Sequence, residues 1–112
     1  MLITHYCNSF ISVKVNQTVI ACDPWVGLTD QTSWLSYPIS KNGTDILYNL
    51  KPNFIYISHL HCDHFDTNLL SKFKNKKVKI IIKKYLDQRL RTKISKLGFQ
   101  NIVECEEWKK YA

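Results

Sequence analysis

The sequence predicts a mixed α/β (α+β) domain, an N-terminal β-meander followed by the order β-α-β-α-β. Three observations lead to this fold class. The length of 112 residues suits one domain rather than two. The first 22 residues are rich in β-branched and aromatic side chains, which favour strands. Beyond residue 50, short apolar runs alternate with stretches of helical spacing. Hydrophobic residues make up 45% of the chain, enough to form a core.

The N-terminal part predicts three short strands. Residues 2–6 and 9–15 alternate roughly between apolar and polar side chains, and residues 16–17 (Asn-Gln) make a plausible turn. Thr18–Cys22 then resumes a strand. Pro24 ends it, because proline lacks the N–H that a strand donates and holds the preceding residue extended. This part of the chain is therefore a meander or hairpin.

Residues 25–43 predict a long irregular loop, since they contain glycine, proline and many small polar residues. Loops that carry large aromatic residues usually pack over the edge of a core or line a pocket. We expect one of these two roles for the large aromatic residues of this loop, and the sequence does not decide between them. These residues are Trp25, Trp34 and Tyr37.

The middle of the chain predicts a short helix, a buried strand and a second helix. Residues 44–50 suit one or two helical turns, and the apolar run 54–58 reads as a strand. Asp66 or Thr67 can then cap a helix that continues to about Lys74.

The C-terminal part predicts strand, helix, strand. Residues 78–82 and 101–105 are short apolar runs. Between them, residues 85–97 have helical spacing and end before Gly98, a common helix stop. The apolar positions of this predicted helix are Leu86, Leu90, Ile94 and Leu97.

The hexapeptide His-Leu-His-Cys-Asp-His at residues 59–64 carries the functional information. It holds three of the four histidines of the chain and a carboxylate, directly after the predicted buried strand. Imidazoles and carboxylates are common ligands of zinc, iron and manganese. Crowding them at a strand end is unfavourable unless a cation offsets the cost. The alternative is structural, with the histidines only capping the next helix.

The spacing within the hexapeptide suggests two ions. His59 and His61 are two residues apart, so their side chains project to the same side of an extended segment. A turn at Asp63 and His64 can aim both side chains at a second position nearby. Two ions held about 3.5–4 Å apart can bind a bridging hydroxide that attacks the substrate, and Asp63 is a candidate to orient that water. We expect zinc first, with iron or manganese as alternatives.

Net charge and composition indicate which classes of partner the chain can bind. The net charge is +7, and no apolar run reaches the roughly 18 residues of a membrane span. A basic surface suits nucleic acid, anionic lipid or phosphorylated substrates. The stretch contains no arginine and a single aromatic residue, Phe73, which is fewer than nucleic-acid platforms require, so a solvated helix end and loop is the favoured interpretation. The lysines concerned are Lys72, Lys74, Lys76, Lys77, Lys79, Lys83 and Lys84.

The N-terminus lacks the basic flank and apolar stretch of a signal peptide. The cysteines are widely spread and form no Cys-x-x-Cys pair. We therefore expect free thiols and a cytoplasmic location. The four cysteines are Cys7, Cys22, Cys62 and Cys105.

Other chemically capable side chains carry weaker signals. His5 stands alone on the first strand, where a histidine is more often packed or exposed than bound to metal. Cys62 is either an additional thiolate ligand or an inert thiol, and the inert thiol is favoured. Ser58 has no separate base to activate it as a nucleophile.

On these residues the sequence resembles the metallo-β-lactamase superfamily, whose signature is His-x-His-x-Asp-His after a buried strand. The Cys-Asp-Pro-Trp step at 22–25 and the His-Phe-Asp ending at 64–66 are most similar to one branch. That branch holds N-acylphosphatidylethanolamine phospholipase D, ascorbate-6-phosphate lactonase and the CMP-sialic acid hydroxylases. The aromatic loop favours the last of these.

The resemblance implies a fold and a set of roles. His59 and His61 would bind the first metal, and Asp63 and His64 the second. Asp23 would sit beside these ligands and fix one of them or the loop backbone. Asp66 would either order the motif loop or cap the next helix. The implied fold is half of a four-layer αββα sandwich.

The sequence also departs from the superfamily pattern. Members add a later histidine to the first metal, a bridging aspartate, and a final histidine to the second. After His64 this chain has no histidine, and its remaining aspartates are Asp66 and Asp87, the latter predicted on a helix face. We therefore expect residues 1–112 to be the N-terminal half of the fold, from a truncated chain.

Three functional hypotheses remain. The first is a metal-dependent hydrolase that cleaves a phosphodiester, ester or lactone with metal-bound hydroxide, incomplete as this chain. Its substrate would be a small molecule, phosphorylated or a nucleotide sugar, and its missing ligands would come from a complementing C-terminal half or a homo-oligomer. The second is a non-catalytic remnant or interaction module that retains the metal motif. The third, less favoured, is a fragment of an RNA-processing nuclease.

Overall fold

A computed structural model describes residues 1–28, 34–39 and 43–111, with only the backbone described at residues 43 and 44. Six strands and three helices occupy these ranges. None of the helices there has the length and apolar character needed to cross a bilayer. The elements are β1 (Leu2–Cys7), β2 (Phe10–Val15), β3 (Thr18–Cys22), α1 (Gly43–Leu50), β4 (Phe54–Ile57), α2 (Thr67–Lys72), β5 (Lys79–Lys83), α3 (Arg89–Lys96) and β6 (Ile102–Cys105).

The six strands form one sheet in sequence order. Strands β1, β2 and β3 are antiparallel neighbours, as expected of a meander. Each pair from β3 to β6 is parallel, and a helix makes each connection between them. This arrangement confirms the predicted fold class, and it is consistent with half of an αββα sandwich.

The core lies on one face of this sheet. Ala21, Ile55 and Ile80 stand side by side on β3, β4 and β5, and all three are fully buried. They belong to one apolar cluster with buried side chains from all three helices. The helices therefore cover this face of the sheet. The helical residues of the cluster are Leu47, Leu69, Leu70, Leu90 and Ile94.

The predicted start of the last helix is wrong. Helix α3 begins at Arg89, four residues after the predicted start at 85. Leu86 is fully exposed, whereas Leu90 and Ile94 are buried as their spacing predicts. Asp87 therefore precedes the helix instead of lying on its face, and its carboxylate accepts hydrogen bonds from the backbone and side chain of Arg89.

The aromatic residues of the loop after β3 differ in how deeply they are buried. Trp25 is 3% exposed and packs inside, whereas Trp34 and Tyr37 are mostly exposed. Trp25 and Trp34 line an open cavity of about 330 Å³ that Asp63 also borders. Both expected roles are thus found in this loop, core packing for Trp25 and a cavity wall for Trp34. Residues 29–33 and 40–42, also part of the predicted loop, lie outside the described residues.

Candidate metal centre

The hexapeptide lies at the carboxyl edge of the parallel strands. Strand β4 ends at Ile57, and helix α2 begins at Thr67, so residues 58–66 form the connecting loop. The carbonyl of His61 accepts hydrogen bonds from the backbone N–H groups of His64 and Phe65, which closes a turn inside the motif. This edge is where α/β folds commonly place their ligand sites.

His59 and His61 each direct one ring nitrogen toward the other. Nε2 of His59 and Nδ1 of His61 are 3.1 Å apart, and the rings meet edge to face. Two nitrogens bound to one tetrahedral zinc, each at about 2.0–2.1 Å, are about 3.3 Å apart. The separation in this chain is thus close to that of two ligands sharing an ion.

Asp63 and His64 lie beside this pair. Nε2 of His64 is 3.6 Å from Oδ2 of Asp63. The His64 ring is also stacked at a tilt on His59, with 4.2 Å between ring centroids. The structure therefore places the proposed ligands next to one another in pairs, His61 and His64 each beside His59 and Asp63 beside His64.

Asp23 and Ser58 lie behind the histidines. Oδ1 of Asp23 accepts the backbone N–H of Ser58 at 2.7 Å, and Oδ2 accepts the Ser58 hydroxyl at 2.7 Å. The same Oδ2 is 2.8 Å from Nδ1 of His64. Asp23 thus contacts a proposed ligand and the loop backbone, the two roles that the resemblance implied for it.

Two residues at this site have contacts that the sequence did not indicate: Ser58, which was considered only as a nucleophile, and Tyr85. The Ser58 hydroxyl also lies 2.8 Å from Nδ1 of His59, and the Tyr85 hydroxyl donates to the Ser58 carbonyl. Strand pairing could have indicated Ser58. Strands β3 and β4 are parallel and pair Cys22 with Tyr56, so the residues that follow both strands meet at one edge.

The surroundings favour the neutral, metal-binding form of His59. Partial burial lowers the pKa of His59, and the neighbouring imidazoles of His64 and His61 lower it further. Neutral imidazole is the form in which histidine binds a metal. His5, by contrast, is exposed, and its ring Nε2 lies 2.8 Å from the Asn8 carbonyl.

Across residues 1–28, 34–39 and 43–111, no three His, Cys, Asp or Glu side chains converge closely enough to hold an ion. The donors instead form two pairs, His59 with His61 and Asp63 with His64. Catalytic zinc sites usually have three protein ligands. The donor chemistry therefore suits divalent metal, and each pair falls short of a complete ligand set by at least one group.

Two further aspartates have clear positions. Asp66 is buried, caps α2 by accepting the Leu69 N–H, and also accepts the Val26 N–H. It therefore combines the two roles that were alternatives in the sequence, loop ordering and helix capping. Asp87 borders a pocket of about 160 Å³ next to the histidines, whose lining includes His59, His61, Tyr85, Asp87 and Arg89.

No family model matches this chain. A protein of Mycolicibacterium smegmatis, provisionally named a Rieske 2Fe-2S iron–sulfur protein, is 37% identical over 89 residues, which are 79% of this chain and 17% of that protein. A Mycobacterium tuberculosis protein with a name of the same kind is 30% identical over 107 residues, 96% of this chain and 20% of that protein. The chain thus spans a fifth or less of these curated relatives.

Solved structures give the fold. A possible metal-dependent hydrolase from Veillonella parvula matches 92% of this chain and 42% of its own, with a TM-score of 0.64 and 19% identity. An isothiocyanate hydrolase from Delia radicum gut bacteria matches 97% of this chain and 42% of its own, with a TM-score of 0.69 and 17% identity. The chain shares its fold with part of each of these two proteins. It corresponds to somewhat under half of each hydrolase chain.

The residues of this chain do not fit a Rieske cluster. Such a cluster needs two cysteines on one iron and two histidines on the other. Cys62 lies inside the histidine motif, but Cys7 is buried and donates its thiol proton to the Trp25 carbonyl. All four cysteines are free, and the part of the chain that the structure describes contains no cluster of two cysteines with two histidines.

Proposed function

We propose that this chain is the metal-binding N-terminal half of a metal-dependent hydrolase of the metallo-β-lactamase superfamily. One observation carries the proposal. The ring nitrogens of His59 and His61 face each other at 3.1 Å, with His64 and Asp63 alongside, at the carboxyl edge of a hydrolase-fold sheet.

The Asp63–His64 pair also favours a bound cation, because the two atoms that face each other both carry lone pairs. Nδ1 of His64 is 2.8 Å from the Asp23 carboxylate, so that nitrogen carries the proton. In the neutral ring Nε2 then carries a lone pair, and it faces the Asp63 carboxylate at 3.6 Å. Two such atoms need a hydrogen-bond donor or a cation between them, and because both side chains are partly exposed, a second ring proton, a water molecule or a cation can each fill that place. A divalent ion meets this need and keeps the imidazole neutral.

Each pair has a proposed role. His59 and His61 would hold one ion, and Asp63 and His64 a second, with zinc preferred and iron or manganese as alternatives. A divalent metal supplies Lewis acidity at the bond to be cleaved and lowers the pKa of water. Asp63 would also orient the attacking water, which makes it the proposed catalytic residue. Asp23 would hold His64 in place from behind.

A complementing half would supply the missing ligands. On the face of the sheet opposite the helices, Cys22, Tyr56, Ile81 and Val103 form a row across β3 to β6. All four are half-buried instead of covered. A second sheet packed there would bury them and complete an αββα sandwich. We propose that residues 1–112 form one domain-sized half, completed by further chain or by a partner subunit.

The proposed substrate is a small molecule with a phosphodiester, ester or lactone bond, phosphorylated or a nucleotide sugar. The net charge of +7 suits an anionic substrate. Binding to nucleic acid is less favoured, because several lysines of the basic stretch have other partners. Lys83 and Lys84 pair with Glu107 and Glu106, and Lys76 donates to the Leu70 carbonyl while lying over the Phe99 ring.

A second candidate function is a non-catalytic module that binds metal or a partner without hydrolysis. The pairing of donors favours it, since two ligands per ion is fewer than catalytic sites have. In this case the chain would be one module of a longer protein.

Metal counting tests the proposed site. The purified chain is saturated with zinc, iron or manganese, passed through a desalting column and analysed for bound metal. We expect at least one ion per chain in the wild type and a clear loss in His61→Ala. The matched control is His5→Ala, which removes the exposed histidine outside the motif and should change nothing. Less than one ion per chain, unaffected by His61→Ala, would defeat the metal site.

An activity assay separates the two candidate functions. The metal-loaded chain, alone and in a version extended by the sequence that follows it in the genome, is incubated with a chromogenic phosphodiester and a lactone. Turnover that disappears in Asp63→Ala would exclude the inert module. Metal binding with no turnover in either version would exclude the hydrolase.

A further inference from the structure

We infer that Ser58 is a positioning residue that fixes the tautomer of His59 and so keeps the lone pair of its Nε2 facing the metal position. This inference rests on the proposed metal site. It assigns a function to the hydroxyl group immediately before the first histidine of the motif.

The Ser58 hydroxyl makes two short contacts, one to Asp23 and one to His59. A serine hydroxyl has one proton to donate and two lone pairs to accept with. Oγ of Ser58 donates to Oδ2 of Asp23 at 2.7 Å. The hydroxyl therefore has no second proton for His59, whose Nδ1 lies 2.8 Å away. The short contact between Ser58 and His59 must be made by a proton on Nδ1.

The tautomer of His59 follows directly. With the proton on Nδ1, the neutral ring has its lone pair on Nε2. That nitrogen is the one that faces Nδ1 of His61 at 3.1 Å. Without metal, His61 can donate a proton to it. A bound metal ion would take the place of that proton, and the exposed His61 ring would then carry its own proton on the other nitrogen.

Asp23 therefore orients two histidines by two routes. It contacts His64 directly, since Oδ2 is 2.8 Å from Nδ1 of His64 whereas Oγ of Ser58 is 3.4 Å from the same atom. It orients His59 through the Ser58 hydroxyl. Both rings then carry their protons on the side that faces Asp23 and their lone pairs on the side away from it.

Ser58 can be tested cleanly because its backbone is held independently of its hydroxyl. Its N–H donates to Oδ1 of Asp23, and its carbonyl accepts from the Tyr85 hydroxyl. Ser58→Ala removes the oxygen and leaves both of these bonds in place. Ser58→Thr retains the hydroxyl and is the conservative rescue. Ser71→Ala is the matched control, since the hydroxyl of this exposed serine bonds only the local Asn68 carbonyl among the contacts described.

The first measurement reads the tautomer in the metal-free protein. Long-range ¹H–¹⁵N spectra at about pH 8, above the ordinary imidazole pKa of about 6.5, distinguish a proton on Nδ1 from one on Nε2. We expect the Nδ1–H form for His59 in the wild type and in Ser58→Thr, and a mixture shifted toward Nε2–H in Ser58→Ala. A wild-type His59 with its proton on Nε2 would overturn the inference, whether or not the chain binds metal.

The second measurement is metal affinity, by competition with a chromogenic chelator. Removing a partner of a metal-binding histidine typically lowers metal affinity about 10- to 100-fold. We expect a loss in this range for Ser58→Ala, recovery in Ser58→Thr and no change in Ser71→Ala. Equal affinity of Ser58→Ala and the wild type would overturn the inference while leaving the metal site intact. A wild-type chain that binds no metal would overturn the proposed site instead.

Discussion

The backbone N–H of Val26 donates to Oδ2 of Asp66 at 3.1 Å, across 40 residues of sequence. The other carboxylate oxygen of Asp66 accepts the Leu69 N–H at 2.8 Å and caps α2. Asp66 therefore fastens the far end of the motif loop to the loop that follows β3. The near end is fastened by Asp23 and Ser58. Between these two attachments the histidines have little freedom to separate.

Asp66→Ala should destabilise the fold. Loss of an N-cap typically costs about 1 kcal/mol, and a buried N–H left without its acceptor costs about 1–3 kcal/mol. We expect a decrease of about 2–4 kcal/mol in the free energy of unfolding, measured by urea denaturation. Asp66→Asn keeps one acceptor oxygen and should lose roughly half as much.

The control for this variant is Asp87→Ala, which removes an exposed aspartate paired with Arg89. Exposed pairs contribute about 0–1 kcal/mol, so its stability should change little. If Asp66→Asn stays folded but no longer binds metal, the purely structural assignment of Asp66 would be wrong.

The sequence was sufficient to predict the strands. The predicted strand at 18–22 is the observed β3, and β1 and β2 differ from their predicted ranges by one residue each. Strand alternation is a local property, so local sequence determines it. The four proposed ligands likewise lie within six consecutive positions, so one short loop is enough to place His59 beside His61 and Asp63 beside His64.

The missed features depend on contacts between distant residues. The role of Ser58 depends on Asp23, which lies 35 residues earlier and reaches it only because β3 and β4 are parallel neighbours. The start of α3 was misplaced because Leu86 continues the apolar spacing of Leu90 and Ile94. Two contacts that the apolar spacing does not reveal hold this segment outside the helix. The Tyr85 hydroxyl donates to the Ser58 carbonyl, and the Asp87 carboxylate accepts the Arg89 backbone N–H before the first helical turn.

Leu90→Ala and Leu86→Ala test the position of this helix boundary. Leu90 is 3% exposed and belongs to the core cluster, whereas Leu86 is fully exposed. Truncation of a buried leucine to alanine typically costs about 2–5 kcal/mol. We expect this loss for Leu90→Ala and a change within about 0.5 kcal/mol for Leu86→Ala, both from urea unfolding. Similar losses in the two variants would restore the longer helix that the spacing predicted.

Zinc should stabilise the folded chain. A ligand that binds the folded state alone adds about 2.7 kcal/mol at one hundred times its dissociation constant. For a domain of this size each kcal/mol raises Tm by roughly 4–8 °C. We therefore expect Tm, measured by differential scanning fluorimetry, to rise by roughly 10 °C or more with zinc and to return with EDTA.

His64→Ala should reduce this thermal shift, because it removes one proposed ligand and the partner of Asp23. His5→Ala provides the comparison, since it removes a histidine that contacts only its own turn among the bonds described. An equal zinc shift in the wild type and His64→Ala would show that the stabilising ion is not held by the Asp63–His64 pair.

Cys7 should make stability depend on alkaline pH. Its thiol is 1% exposed and donates to the Trp25 carbonyl at 3.0 Å, and burial raises the pKa of Cys7 above its ordinary value. The unfolded chain therefore loses this proton at a lower pH than the folded chain. The stability due to the neutral thiol is complete below the ordinary thiol pKa of about 8.5 and is lost progressively as pH rises above it.

The matching variant is Cys7→Ala, compared with the wild type by urea unfolding at about pH 7 and about pH 10. At the lower pH the variant should be less stable by roughly 1–2 kcal/mol, through lost packing and a lost hydrogen bond. At the higher pH this difference should shrink, because the wild type alone pays for keeping a buried thiol protonated there. Burial of Cys22 also raises its pKa, but both proteins retain that thiol, so its contribution cancels in the comparison. A difference that is the same at both pH values would contradict this prediction, because it would mean that the Cys7 thiol ionises as readily in the folded chain as in the unfolded one.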